Sequence, residues 1–161
     1  MLMVQSIYID ACILIGCIEG KYRRKNDIHR ISQDAIRKIE SMARHNSEIK
    51  VKIPTIVLSE FMLWCIKNDE DDRVLSDLKT LVKNLKADFP SPKKEHYELA
   101  KRFIETDSRF ESHDALIISH ALLDPTTTWL LTTDTVLHNN KIIEKEKTER
   151  NNRFKISDCI G

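Results

Sequence analysis

The chain has 161 residues, of which 41% are hydrophobic and 32% charged, and its formal net charge is +1. That length and balance suit one soluble globular domain and exclude a disordered tail. No apolar run approaches the roughly 20 residues that span a bilayer, and near-neutral charge neither requires nor forbids a nucleic-acid partner.

In chain order, Ile7-Tyr8-Ile9 is β-branched and aromatic and predicts a buried strand ending at Asp10. Residues 1–10 carry no basic cluster ahead of a small-residue cleavage site. They read as part of the folded protein rather than a secretion signal, and the expected location is the cytoplasm. Residues 11–18 predict a short apolar helix stopped near Gly20. Lys21-Tyr22-Arg23-Arg24-Lys25 is the densest basic run. A solvated loop is its ordinary explanation; contact with RNA phosphates, with Tyr22 stacked on a base, is the alternative. From Asp27, taken as an N-cap, Ile28, Ile31, Ala35, Ile36, Ile39 and Met42 recur at helical spacing to about His45.

Val51-Lys52-Ile53 predicts a second strand, after which Pro54 and Thr55 open an unusually apolar helix over residues 56–66, with Glu60 inside it. Val74, Leu75, Leu78, Leu81, Val82 and Leu85 mark a further helix whose apolar face suits a core or a dimer equally well. Residues 87–92 contain two prolines that break the helix and leave room for a short extended piece. Another amphipathic helix covers residues 93–105. Ser112 caps the next, carrying Ala115, Leu116, Ile118, Ala121 and Leu122 and ended by Asp124-Pro125. Trp129 to Thr132 predicts a strand running out at Asp134; residues 141–150, of mixed charge, a solvated loop or helix face; and Phe154-Lys155-Ile156 a last strand. Strands that alternate with long helices predict an α/β fold. We expect a three-layer α/β/α sandwich around a mostly parallel sheet, in a single domain over residues 1–161.

Several constellations are excluded or bland. Cys12, Cys17, Cys65 and Cys159 form no C-x-x-C pair and read as reduced, mostly buried thiols. With only three glycines, a glycine-rich phosphate cradle is absent. His113-Asp114 matches the dyad of HD-type phosphohydrolases, but those enzymes are helical bundles. His113 and His120 lie seven apart on one helix face and read as a surface or partner-facing stripe.

The acids are more informative. Ligands of an open parallel sheet gather beyond the carboxyl ends of its strands, and Asp10 and Asp134 both follow predicted strands. Asp114 falls in the first turn of a helix. Glu60 sits among Val57, Leu58, Phe61, Met62 and Trp64, where a charge is costly unless compensated. Singly, each has a plainer explanation: Asp114 as a helix-dipole charge, Asp134 as a turn residue, Glu60 reaching solvent, Asp10 paired with an arginine. Together they predict one acidic crevice. Two unit charges about 6 Å apart at an effective dielectric of about 20 repel by roughly 3 kcal/mol, so such a cluster takes up protons or a cation. Oxygen-only ligands suit Mg²⁺ or Mn²⁺, which polarise a phosphodiester and acidify a bound water.

The series Ile7-Tyr8-Ile9-Asp10, Ile53-Pro54 with Ser59-Glu60, His113-Asp114-Ala115-Leu116-Ile117 and Leu131-Thr132-Thr133-Asp134 resembles the PIN-domain superfamily in order and spacing. The resemblance implies an α/β/α fold, Mg²⁺ or Mn²⁺ dependence and endonucleolytic cleavage of RNA. It maps Asp10, Glu60, Asp114 and Asp134 onto the family's catalytic, metal-binding acids. Many small members are toxins of the VapC type, usually homodimeric and held inactive by an antitoxin. Others mature ribosomal or transfer RNA, and a silent member serving RNA binding or assembly is a further alternative. One departure is Cys12, where the family often carries a hydroxyl or amide, which weakens the expected support of Asp10. Thr132 or Thr133 is expected either to offer a hydroxyl near Asp134 or to serve β-propensity alone.

Overall fold

The computed structural model describes residues 3–161, so the first two residues of the expected N-terminal segment lie outside it. Strands β1 (Gln5–Ile9), β2 (Ile49–Lys52), β3 (Thr127–Leu131) and β4 (Lys155–Ser157) form one sheet in the order β2-β1-β3-β4. Every pairing is parallel. Among the described residues seven helices connect them: α1 (Ala11–Tyr22), α2 (Asp27–His45), α3 (Thr55–Lys67), α4 (Asp72–Asn84), α5 (Lys94–Thr106), α6 (Ser112–Leu123) and α7 (Lys141–Glu149). The expected α/β/α sandwich is the observed fold.

β1 is central, and Ile7, Tyr8 and Ile9 are all buried, as a strand covered on both faces requires. Helix α1 packs on α2, α5 packs on α6, and α3 touches both α1 and α6. That bridging position carries Glu60 toward the acids of the other elements. The extended piece expected near residues 87–92 is a single parallel bridge between Lys52 and Asp88.

Gly20 does not stop the first helix, which continues to Tyr22. Its role is close approach. A Cβ at Gly20 would lie 2.8 Å from Gln33 Nε2 and 3.0 Å from His29 Cβ, and one at Gly16 would lie 2.4 Å from Ser32 Oγ. The two glycines therefore let α1 and α2 meet at backbone distance. The cap of α2 is Asn26 rather than Asp27: Asn26 Oδ1 accepts from the His29 amide at 2.9 Å. Glu111, not Ser112, takes the N-cap position of α6. On α4, Val74, Leu78 and Leu81 are buried, so its apolar face belongs to the core. The mixed-charge stretch forms α7.

The basic run is less free than a solvated loop. Arg23 pairs with Glu19 at 3.0 Å and with Glu70, and Tyr22 hydrogen-bonds Asp77 of α4. Asp124 ties the sheet to the end of α6. Its Oδ2 accepts from Tyr8 Oη at 2.8 Å and Lys52 Nζ at 2.6 Å, while its Oδ1 accepts from the Thr126 hydroxyl at 2.6 Å.

Candidate active site

The amide of Asp10 donates to Leu131 O at 2.9 Å, so the chain leaves β1 beside the end of β3 and turns directly into α1. Asp10 caps that helix, its Oδ1 accepting from the Ala11 amide at 2.8 Å. Its Oδ2 accepts from Thr132 Oγ1 at 2.8 Å, and the same hydroxyl oxygen accepts from the Asp134 amide at 3.0 Å. One threonine thus holds both strand-end acids. The weakened support expected from Cys12 is corrected here: the hydroxyl comes from Thr132, across the sheet. Cys12 Sγ packs 3.4 Å from that hydroxyl and accepts from the Thr133 amide at 3.3 Å. The hydroxyl expected near Asp134 is that of Thr132, which accepts the Asp134 amide while giving its proton to Asp10.

Asp134 also shapes a turn, its Oδ1 accepting from the Val136 amide at 2.9 Å. Asp114 lies in the first turn of α6, where Oδ2 accepts from the Glu111 amide at 3.2 Å. It is 3% exposed; its Oδ1 makes no aligned hydrogen bond among the described residues and lies 3.2 Å from His113 Nε2. Glu60 Oε1, from the middle of α3, is likewise buried without an aligned hydrogen bond. His113 stands between them, its Nε2 3.2 Å from Asp114 Oδ1 and 3.5 Å from Glu60 Oε2.

The structure brings all four predicted acids within reach of one another: Glu60 feels the charges of Asp10, Asp114 and Asp134, Asp134 those of Asp114 and Asp10, and Asp10 that of Asp114. Burial, then the charges of Asp10, Asp114 and Asp134, push Glu60 up to about 8 against the opposing pull of His113. Burial and a hydrogen bond with Asp114 push Asp134 up to about 6. Burial also raises Asp114, but close pairing with His113 and Asp134 outweighs it and the net shift is downward. Burial raises Asp10 in spite of its Thr132 and Ala11 hydrogen bonds. His113 is raised to about 9, chiefly by its pairing with Asp114 at 3.2 Å and, against burial, by the charges of Glu60, Asp114 and Asp10. Repulsion, protonation and an imidazolium are what a carboxylate cluster without a cation must show. Oxygen donors of which two are buried without an aligned hydrogen bond fit a hard divalent ion.

The expected histidine stripe does not exist. His113 faces the acids, whereas His120 is 2% exposed and stacked on His96 with ring centroids 4.2 Å apart. Burial, then His96, lowers His120 to about 4. The helix face is common to both residues, but α5 covers only its later turn. The sequence puts His113 on a surface stripe rather than in the site, and offers Thr132 only as one of two candidate hydroxyls near Asp134. Their adjacency to Asp114 and Asp134 was the available signal, and it does not specify where a side chain points.

Comparison of the sequence with protein-family models and with curated proteins gives no match. Among solved structures, a chain of the VapBC2 structure from Rickettsia felis, bound to a DNA fragment from their promoter, superposes with a TM-score of 0.62. At 15% sequence identity the alignment covers 94% of this chain and 98% of that one. The two chains share a fold, as the resemblance to the PIN-domain superfamily leads us to expect. Two strand-end acids, one acid at a helix start and one from a bridging helix are what this fold gathers near the carboxyl ends of β1 and β3. No helix of the described residues is long and apolar enough to cross a membrane.

Proposed function

We propose that the protein is a metal-dependent endoribonuclease that hydrolyses RNA phosphodiester bonds at Asp10, Glu60, Asp114 and Asp134. The observation that carries this reading is the mutual electrostatic coupling of four acids from separate elements, two of them with buried oxygens that make no aligned hydrogen bond. These four residues hold one or two Mg²⁺ or Mn²⁺ ions. A cation there supplies charge against the phosphate and acidifies a bound water. Thr132 keeps Asp10 and Asp134 in place through its single hydroxyl. Glu60 completes the ligand set or orients the attacking water, and hydrolysis proceeds in line without a covalent intermediate.

The biological role we assign is that of a toxin held by an antitoxin. It is supported by the shared fold with a VapBC2 chain and by the apolar residues Met62, Leu63 and Ile66 exposed on α3, which suit a protein partner or a homodimer. RNA incubated with Mg²⁺ or Mn²⁺ tests the activity: Asp10→Asn is expected to lower cleavage about 100-fold or more. Equal cleavage by that variant rejects the assignment. Growth arrest on expression, relieved by the product of an adjacent small reading frame, separates a toxin from an RNA-maturation nuclease. Failure of the wild type to bind Mn²⁺ in calorimetry favours a silent PIN-like module.

A further inference from the structure

Glu111, His113 and Asp114 each offer a potential ligand atom, and the three atoms lie within 4.8 Å of one another. The imidazole is the single nitrogen donor in this group of otherwise carboxylate oxygens. Its Nε2 is 3.2 Å from Asp114 Oδ1 and 3.5 Å from Glu60 Oε2. Donor atoms that share an ion at about 2.1 Å stand roughly 3.0 Å apart in an octahedron and roughly 3.4 Å apart in a tetrahedron. The metal-free spacing is therefore already that of neighbouring ligands. Asp114 Oδ1 is buried and makes no aligned hydrogen bond, so beside the ring it keeps an oxygen free to accept a cation. The other ring nitrogen, Nδ1, faces Glu111 Oε2 at 3.6 Å. Histidines that bind metals through one nitrogen commonly present the other to a carboxylate, which fixes the ring.

We propose that His113 is a nitrogen ligand, through Nε2, of the ion taken by this site, with Glu111 as its positioning residue. The site then favours a first-row transition ion over Mg²⁺, because imidazole adds little for a hard cation and much for a borderline one. The inference rests on the metal-dependent reading above and adds a donor to its four acids. Its rival is a histidine that serves only as a counter-ion to the acids and never touches the metal.

The test is electron spin-echo spectroscopy of the wild-type protein loaded with Mn²⁺ in frozen solution, together with calorimetric titration of Mn²⁺ and Mg²⁺. Modulation from a directly bound ¹⁴N is expected, and it disappears in His113→Gln. That variant is expected to lose Mn²⁺ affinity by about tenfold or more and Mg²⁺ affinity by less than about threefold. Bound Mn²⁺ without nitrogen modulation in the wild type overturns the proposal and leaves the four-acid metal site standing. No Mn²⁺ binding by the wild type overturns both.

Discussion

Thr132 is the residue on which the geometry of the strand-end acids turns. Its hydroxyl donates to a buried Asp10 oxygen and accepts the Asp134 amide, so Thr132→Val keeps the shape and orphans both groups. Orphaned buried polar groups cost about 1–3 kcal/mol, and urea denaturation is expected to show a loss of that size together with slower RNA cleavage. A change below about 0.5 kcal/mol, the range of ordinary surface substitutions, would mean that Asp10 is held by its helix cap alone. Asp124 poses the opposite case at the far end of β1. Burial raises it, but hydrogen bonds from Lys52, Thr126 and Tyr8 win and lower it to about 2. A depressed carboxylate stabilises the fold above its unfolded value. The contribution, about 2 kcal/mol at neutral pH, is lost as pH falls from about 4 through about 2. In Asp124→Asn that acid-side loss of thermal stability is expected to shrink.

Among the elements, the contact of α1 with α2 depends on absent side chains. Gly16→Val places a branched side chain where even a single Cβ meets Ser32 Oγ at 2.4 Å. Overpacking of this kind costs about 1–3 kcal/mol, measurable by urea denaturation, and an unchanged midpoint would show that the helices can part freely. Helical periodicity gave most of the helices to within a few residues because each buries an apolar stripe. It failed where capping depended on a neighbour's geometry, as at Asn26 and Glu111, and where glycine served packing instead of termination. The apolar face that remains exposed is on α3, where Ile66 is 72% exposed, and not on α4. Periodicity cannot separate those two helices, since which one is covered depends on what packs beside it.

At the scale of the whole molecule, bringing four acids together costs stability, and pH exposes the cost. Glu60 is raised from 4.5 to about 8, Asp134 from 3.8 to about 6, and His113 from 6.5 to about 9. For each, the stabilising effect of the bound proton is complete below the unfolded value and lost as pH rises through the folded one. The metal-free protein is therefore expected to lose thermal stability between about pH 4 and pH 9. Saturating Mn²⁺ is expected to raise the melting temperature most at the alkaline end, because a bound cation replaces the protons. A metal-free melting temperature that is flat across this window would show that the four acids do not repel one another in the folded state.

The sequence by itself determined the parallel α/β/α class and nominated Asp10, Glu60, Asp114 and Asp134, because strand pattern, helix pattern and the cost of an acid in an apolar helix are local properties. Only the tertiary structure decided that these four lie near enough to act on one another, that Thr132 holds two of them, and that His113 joins them while His120 is buried. Those facts depend on which strands are neighbours and which helix turn another helix covers. Such contacts join residues more than 100 positions apart, as Asp10 and Thr132 are, and no local pattern specifies them.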